Sequence, residues 1–474
     1  MWSEFENPGN LEAWLALVAK ETAGKSLEQL SNKSWEGIPY PAYCEPQPNR
    51  PATPPGARPR LAQCLPVQED FHQEALHGGL EECIAQLPLA QWMPTIQVLR
   101  GSLAQAQPWT SQVRALELDC ALPPEPFPEG LEIRLLPSTW LQQGVDAVHE
   151  LAWSIASLIE HLRSLPDDSP QASQFSLKLC AGPRLLMEVA KFRAARRLLQ
   201  QVAEGFALQH RFALHLIQDR RYQTLQDPHN NLLRSTISAL VAHLAGVKSV
   251  ELLGFDPSLQ AAHLSRNVVH LLRHESHLDQ AADFVTGSGA LEELTERLAQ
   301  RAWAEVQRIE SSGGLSQQTD LAQRAAAQAQ AMRERLRQDR QGLVGVNRYV
   351  ALSPVAASDQ EGLRWAEPFE ELHRRGLGQK VTLVAMGPTT PLLKARQDYV
   401  QQWLAMAGLE ADCQSSPPPQ GPWVLCCEDG LWPQLLSDLK PTVVAGKPEG
   451  YSGLAVYRGC DRVEVLEQLL EQLT

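Results

Sequence analysis

FSLKLCAGPRLLMEVAKFRAARRLLQQVAEGFALQHRFALHLI, residues 175–217, reads as strand, helix, strand. FSLKLCAG (175–182) and FALHLI (212–217) are short apolar runs. Between them lies a stretch rich in Leu, Ala, Arg and Gln, all good helix formers. Working outward, similar runs recur at TIQVLRG (95–101), VRALELDC (113–120), LEIRLLP (131–137) and SVELLGF (249–255), separated by helical stretches. Repeated strand then helix predicts a parallel α/β architecture, and about eight such units would close a barrel.

After residue 316, QQTDLAQRAAAQAQAMRERLRQDR (317–340) predicts a helical connection. Beyond it, VTLVAMG (381–387), PWVLCCEDG (422–430), PTVVAGKP (441–448) and GLAVYRG (453–459) are four short apolar strands. Helical stretches such as LLKARQDYVQQWLAMAG (392–408) and WPQLLSDL (432–439) lie between them, the pattern of a small doubly wound domain.

Before the barrel, Leu11, Trp14, Leu15 and Val18 fall at the i, i+3, i+4, i+7 spacing of a helix with one buried face. Six prolines between Pro46 and Pro59 then disfavour helix or central strand and predict an extended arm. The expected organisation is therefore 1–80 opening helix and proline-rich arm, 81–315 barrel, 316–378 helical linker and 379–474 doubly wound domain.

Composition bounds the function. The formal charge of −13 opposes attraction to a phosphate backbone, so nucleic acid is not an expected partner. No run approaches the ~18 apolar residues of a membrane span, and MWSEFENPGN has neither a basic start nor an apolar core, which reads as cytoplasmic. The nine cysteines are scattered without a CxxC pair, so buried reduced thiols are expected rather than a disulfide framework or zinc site.

Most motifs lead nowhere. His270, His274 and His277 would share a helix face near Asp279, either as a metal site or as an exposed His-rich face, but HESH is one residue short of HExxH. TGSGALEE (286–293) has no third glycine for a dinucleotide fingerprint and reads as a turn before the next helix. Neither a phosphate-binding GxxxxGK[ST] nor a GxSxG nucleophile elbow is present. Cys426 and Cys427 fall in a strand and read as core.

Six collinear blocks, however, resemble the methylmalonyl-CoA mutase family: LMEVAKFRAARRL (186–198), DPHNNLLRSTISAL (227–240), LAGVKSVELLGFD (244–256), LSRNVVHLLRHESHLDQAADFVTGS (264–288), LTERLAQRAWAEVQRIESSGG (294–314) and VGVNRYV (344–350). The opening helix, the WEGIPYPAY segment and the proline-rich arm occupy the family's places. The resemblance implies a TIM-type (β/α)8 barrel through which the pantetheine arm of an acyl-CoA threads, followed by a flavodoxin-like cobalamin domain. The chemistry it implies is a 1,2 rearrangement begun by homolysis of a cobalt–carbon bond, which a buried barrel shields from water.

Three departures from the family pattern point away from catalysis. Where catalytic members carry QSLHTN, with a histidine bonded to the substrate carbonyl, this chain has KSVELL (248–253), so Glu251 stands for the histidine. A carboxylate cannot donate to a carbonyl and repels developing negative charge. The RQYAGF segment with its substrate-positioning tyrosine is matched by LRGSLAQA (99–106), without a tyrosine. The cobalt-ligating MGxDxHxxG loop is matched by MGPTTPLLK (386–394), with Thr389 for the aspartate, Pro391 for the histidine and Lys394 for the glycine. CCEDGLW (426–432) replaces the small-residue segment that admits the nucleotide tail, and Glu428, Asp429 and Trp432 would fill or charge that slot.

The resemblance therefore implies a non-catalytic small subunit that contributes no catalytic, cofactor-binding or metal residue. Adenosylcobalamin and acyl-CoA are expected in a catalytic large subunit, with this chain stabilising the heterodimer. Trp2, Phe5, Trp14, Trp35, Tyr40 and Tyr43 could anchor the arm on that partner, or on the chain's own barrel. The competing reading is an active B12-dependent mutase for another acyl-CoA, with a new role for Glu251.

Overall fold

The structure, a computed structural model, describes residues 11–47, 59–64, 80–86, 97–122, 124, 127–166, 169–256, 258–280, 283–355 and 362–473. Eight parallel strands, β1 (Arg60–Cys64), β2 (Glu82–Gln86), β3 (Val98–Arg100), β4 (Ala115–Asp119), β5 (Glu132–Leu136), β6 (Phe175–Ala181), β7 (Ala213–Gln218) and β8 (Ser249–Glu251), pair in sequence order. β8 returns to β1, so the barrel is closed. Alternate residues of each strand face outward. Leu61, Leu99, Leu116, Ile133, Leu177, Leu216 and Val250 share one core with the surrounding helices.

Those helices are α2 (Ala147–Ser164), α3 (Leu185–Gly205), α4 (Asn230–Ala245) and α5 (Leu259–His274). Their ends follow local chemistry. Asp146 caps α2 by accepting from the His149 amide at 2.9 Å, and Gly246 ends α4 in the left-handed region at φ 60°. α6 (Gly289–Ser311) lies across α2 and α3, tied by Arg193 to Glu292 at 2.6 Å. Gly289 is needed at its start, because a Cβ there would run into the backbone carbonyl of Glu45. TGSGALEE thus opens a helix and seats the chain at residues 44–47, with the Gln47 amide donating to Gly287.

α7 (Leu321–Arg337) buries Ala325, Ala329, Met332 and Leu336, a stripe at i, i+4, i+7, i+11. Ala325 belongs to the barrel core and the other three to the core of the second domain, so this helix joins the two. That domain is a five-stranded parallel sheet of β9 (Lys380–Met386), β10 (Glu410–Gln414), β11 (Trp423–Cys427), β12 (Val443–Ala445) and β13 (Leu454–Val456), in the order β10-β9-β11-β12-β13. α8 (Glu367–Gly376), α9 (Pro391–Met406), α10 (Trp432–Asp438) and α11 (Arg462–Glu471) pack on it. This strand order is the flavodoxin-like one.

Three expectations change. β1 lies inside the stretch assigned to the arm, so the barrel begins before residue 81. RLAQC was hidden because its polar residues look like exposed chain, whereas Gln63 is 2% exposed and bonded to Arg266. The opening helix α1 (Leu11–Glu21) forms, but none of its residues is buried, and Leu11, Trp14 and Leu17 are exposed. Its contact with the rest of the chain includes the Trp14 ring, 5.4 Å from Tyr43. Among the cysteines, Cys413 is exposed and Cys44 and Cys460 are partly so, while Cys83, Cys120, Cys180, Cys426 and Cys427 are buried. Residues 48–58, most of the proline-rich arm, and Trp2 and Phe5 lie outside the described residues.

Candidate functional site

The inward faces of the eight strands carry charge. Arg60 on β1, Glu82 on β2, Arg100 on β3, Glu117 on β4, Glu132 and Arg134 on β5, Lys178 on β6, His215 on β7 and Glu251 on β8 form one connected network. At its centre the Lys178 ammonium donates to Glu117 at 2.6 Å and to Glu251 at 2.5 Å. Arg100 reaches Glu251 at 2.5 Å and Glu117 at 2.8 Å from the strand ends. One layer lower, Arg134 bonds Glu82 at 2.8 and 3.2 Å and Glu132 at 3.1 Å. Arg114 and Lys248 close the lower end, on Glu82 at 2.7 Å and Glu132 at 2.8 Å. The apolar remainder is a small cluster of Ala62, Ile84, Val98 and Ala115.

Such a network persists only if every ion is compensated, because desolvating a lone charge is costly. Burial alone would push the Glu117 carboxyl up, but Lys178, Arg100 and Arg134 hold it well below the usual carboxylate range. Glu251 is likewise lowered, its burial outweighed by Arg100 and Lys178. Burial and the neighbouring Arg134 bring His215 down to about 4, so its ring is neutral near pH 7. A neutral ring fits both contacts, Nε2–H donating to Glu132 at 3.1 Å and Nδ1 accepting from the Ser249 hydroxyl at 2.7 Å.

Above the network, the mouth of the barrel is a cavity of about 630 Å3 lined by Arg100, Glu117 and Glu251 together with Gly362 and Leu363. The two segments that the family resemblance compares, 99–106 and 248–253, thus meet in the Arg100–Glu251 pair. Glu251 faces the axis as one of two carboxylates gripped by the same cations.

The DPHNN block ties the barrel to the second domain. Arg234 donates to the Val344 carbonyl at 2.7 Å, the Leu225 amide to Glu370 at 2.6 Å, and Gln226 to the Ala351 carbonyl at 3.1 Å. The WEG segment reinforces the joint. Glu36 is 4% exposed, pairs bidentately with Arg184 at 3.0 and 2.7 Å, and has its carboxyl lowered to about 2, Arg184 outweighing burial. Trp35 meets Trp365 edge on at 5.9 Å.

In the second domain the loop after β9 leads directly into α9. Thr390 is the helix cap, its hydroxyl accepting from the Leu393 amide at 3.2 Å and donating to Glu428. Pro391 occupies the first helical position, where its missing N–H is harmless, and Thr389 and Lys394 are exposed. Across the sheet end, Arg396 donates to the Cys427 carbonyl, pairs with Asp429 at 2.8 Å and lies 5.8 Å from the Trp432 ring. Trp432 is 4% exposed and donates to Asp429 at 3.2 Å. Its indole sits so close to Gly446 that a Cβ there would come within 2.8 Å of it, and Leu431 approaches Gly387 in the same way. Cys426 and Cys427 lie beneath, their thiols pushed up to about 12 and 11 by burial.

The remaining candidates separate. The rings of His270 and His274 stack at 6.0 Å, but His277 leaves the helix at φ 53°, and His274 and His277 are exposed. Among the described residues no group of three His, Cys, Asp or Glu could hold a metal, and no helix is long and apolar enough to cross a membrane.

The network was missed in the sequence, although a signal was there. FSLKLCA carries Lys178, ALELD carries Glu117 and Asp119, and EIRLL carries Glu132 and Arg134 among their apolar residues, whereas a parallel strand buried on both faces is normally apolar throughout.

Comparison with known proteins agrees with this architecture. A probable methylmalonyl-CoA mutase small subunit of Mycobacterium tuberculosis is 31% identical over 302 residues, covering 56% of this chain and 48% of that protein. The methylmalonyl-CoA mutase small subunit of Streptomyces virginiae is 30% identical, over 57% of this chain and 49% of its own length. Methylmalonyl-CoA mutase of Escherichia coli is 31% identical over 44% of this chain and 31% of its own. The chain thus spans about half the length of the small subunits it matches. The family model described as methylmalonyl-CoA mutase matches residues 126–367, from the barrel's β5 to the start of α8. A closed parallel barrel, a flavodoxin-like sheet behind it and this match together make the chain a member of the methylmalonyl-CoA mutase family.

Proposed function

We propose that this chain is the non-catalytic small subunit of an adenosylcobalamin-dependent methylmalonyl-CoA mutase, stabilising a catalytic large subunit that interconverts methylmalonyl-CoA and succinyl-CoA. The observation that carries the reading is the Lys178 bridge between Glu117 and Glu251. A pantetheine arm threading the axis would have to displace these ions from each other and leave buried charges unpaired, at about 3–5 kcal/mol for each broken pair. On this reading, Lys178, Glu117 and Glu251 occupy the axis that the substrate arm would need.

The second domain supports the same reading. Pro391 brings no donor atom to a cobalt, the neighbouring Thr390 hydroxyl is engaged as a cap and by Glu428, and Trp432 with Leu431 packs against the glycines of the adjoining loops. These residues do not fit a cobalamin with its nucleotide tail buried at the sheet end, so no step of a radical reaction is assigned to them. The partner is inferred from relatives, since Streptomyces virginiae has proteins named as both small and large subunits of the enzyme, each about 30% identical to this chain. The opening helix, with Leu11, Trp14 and Leu17 outward, is the element we assign to that partner.

Incubating the purified chain with adenosylcobalamin and separating the mixture by gel filtration tests the proposal. The chain should elute without the cobalamin spectrum. Retained cobalamin, with turnover of any acyl-CoA, would favour an independent mutase in which Glu251 has acquired a role.

A further inference from the structure

A chain of direct contacts runs from the N-terminal arm to the mouth of the barrel. Trp35 touches Arg184, whose guanidinium is 5.7 Å from its ring, and Trp365, which it meets edge on at 5.9 Å. The Trp365 amide donates to the Arg221 carbonyl at 2.8 Å, and the Arg221 guanidinium lies 5.6 Å from the Trp365 ring. Arg221 Nη2 is in turn 3.7 Å from Cys180 Sγ, near the end of β6. Arg221 and Cys180 line the mouth cavity, as do Gly362 and Leu363, which precede Trp365 in the chain.

The arm is held firmly on its barrel side and more lightly at Trp35. Glu36 pairs with Arg184, its backbone carbonyl accepts from Arg301, and Ile38 is fully buried in the barrel core. Trp35 is only half-buried and packs against the core of the second domain, as Leu363 does. Trp365 and Tyr222 are buried with their rings 6.5 Å apart. Among the described residues, however, neither the Trp365 indole N–H nor the Tyr222 hydroxyl makes a hydrogen bond. Buried polar groups are normally paired, and two left unmade here lower the cost of opening, because water satisfies both once the contact parts.

We infer that the arm is a strap on a movable wall of the barrel mouth: Trp35 clamps Trp365 and so holds residues 362–365 against Arg221, and its release opens the mouth to solvent while both cores stay folded. Segments that open locally are those with the fewest satisfied contacts, and the unmade bonds place this wall among them. Cys180 reports on its position. It is 2% exposed, and burial together with the Glu150 carboxylate pushes its thiol well above the usual range, so it reacts slowly while the wall is closed. Cys83 and Cys426 are buried in the barrel and second-domain cores and report on global unfolding, and the exposed Cys413 sets the fast limit. The inference is independent of the subunit assignment.

Iodoacetamide labelling of the full chain under native conditions, read at each cysteine by peptide mass spectrometry, tests it. In Trp35→Ala, Cys180 should react at least about tenfold faster than in the parent chain while Cys83 and Cys426 stay protected, which marks a local opening. Trp35→Phe keeps an aromatic clamp and should return most of the protection. An unchanged Cys180 rate in Trp35→Ala would overturn the inference, because the wall would then not depend on the strap. An equal rise in Trp35→Phe, or a rise shared by Cys83 and Cys426, would overturn it as well, the first by removing the clamp's role and the second by reducing Trp35 to global stability.

Discussion

Lys178 and Glu251 meet across the barrel interior at 2.5 Å, joining β6 to β8 without passing through the strand between them. The same ammonium holds Glu117 of β4 at 2.6 Å, so one side chain ties three of the eight strands at the axis.

Removing that ammonium should be severe. Lys178→Met leaves two buried carboxylates facing each other, and the expected loss is about 3–5 kcal/mol in denaturant unfolding. Adding Glu251→Gln should recover part of it, because the repulsion is relieved. A double-mutant cycle with no coupling between the two positions would mean that the bridge does not hold the barrel together.

Stability should depend on pH through His215. Its pKa is lowered from 6.5 to about 4 in the folded chain, so the unfolded chain takes up the proton first as pH falls. The contribution is present above about 6.5, declines through the window down to about 4, and amounts to roughly 3 kcal/mol at most. Thermal unfolding followed across that window should show the fall, and His215→Gln should flatten it.

The joint between barrel and second domain should depend on Glu36. Replacing it by Ala leaves the half-buried Arg184 without its bidentate partner and loosens the Trp35–Trp365 contact. A loss of about 3 kcal/mol is expected. Limited proteolysis should then cut between residues 338 and 366 faster than in the parent chain.

Restoring the ligand alone should not restore the cofactor. Thr389→Asp, Pro391→His and Lys394→Gly together rebuild the family's loop, yet Trp432 and Leu431 still pack against Gly446 and Gly387. The triple variant should emerge from gel filtration without cobalamin. Retention of the cofactor would mean that the sheet end opens more easily than its packing indicates.

Much of this molecule could be read in the sequence, and the omissions share a cause. Six of the eight barrel strands and four of the five sheet strands stand out as apolar runs. Arg60–Cys64 and Glu82–Gln86 escape because Arg60, Gln63, Glu82 and Gln86 interrupt their apolar pattern, and Glu410–Gln414 because it is an edge strand whose residues are largely exposed. Glu251 was legible as a departure from the family pattern, but its partners were not. Arg100, Glu117 and Lys178 lie up to 151 positions away, and only barrel closure brings them together. The helix of residues 11–21 shows the converse: its periodicity predicted a buried face, and local pattern alone could not tell that, among the described residues, the chain leaves none of its side chains fully buried.

The central claim is a division of labour between this chain and a catalytic homologue. The measurement that tests it most directly is the cobalamin content of the co-expressed and co-purified complex, read from its absorption spectrum against total protein. One cobalamin per pair of chains, with mutase turnover by the complex and none by this chain in isolation, is the predicted result. One cobalamin on every chain, or turnover by this chain in isolation, would contradict it.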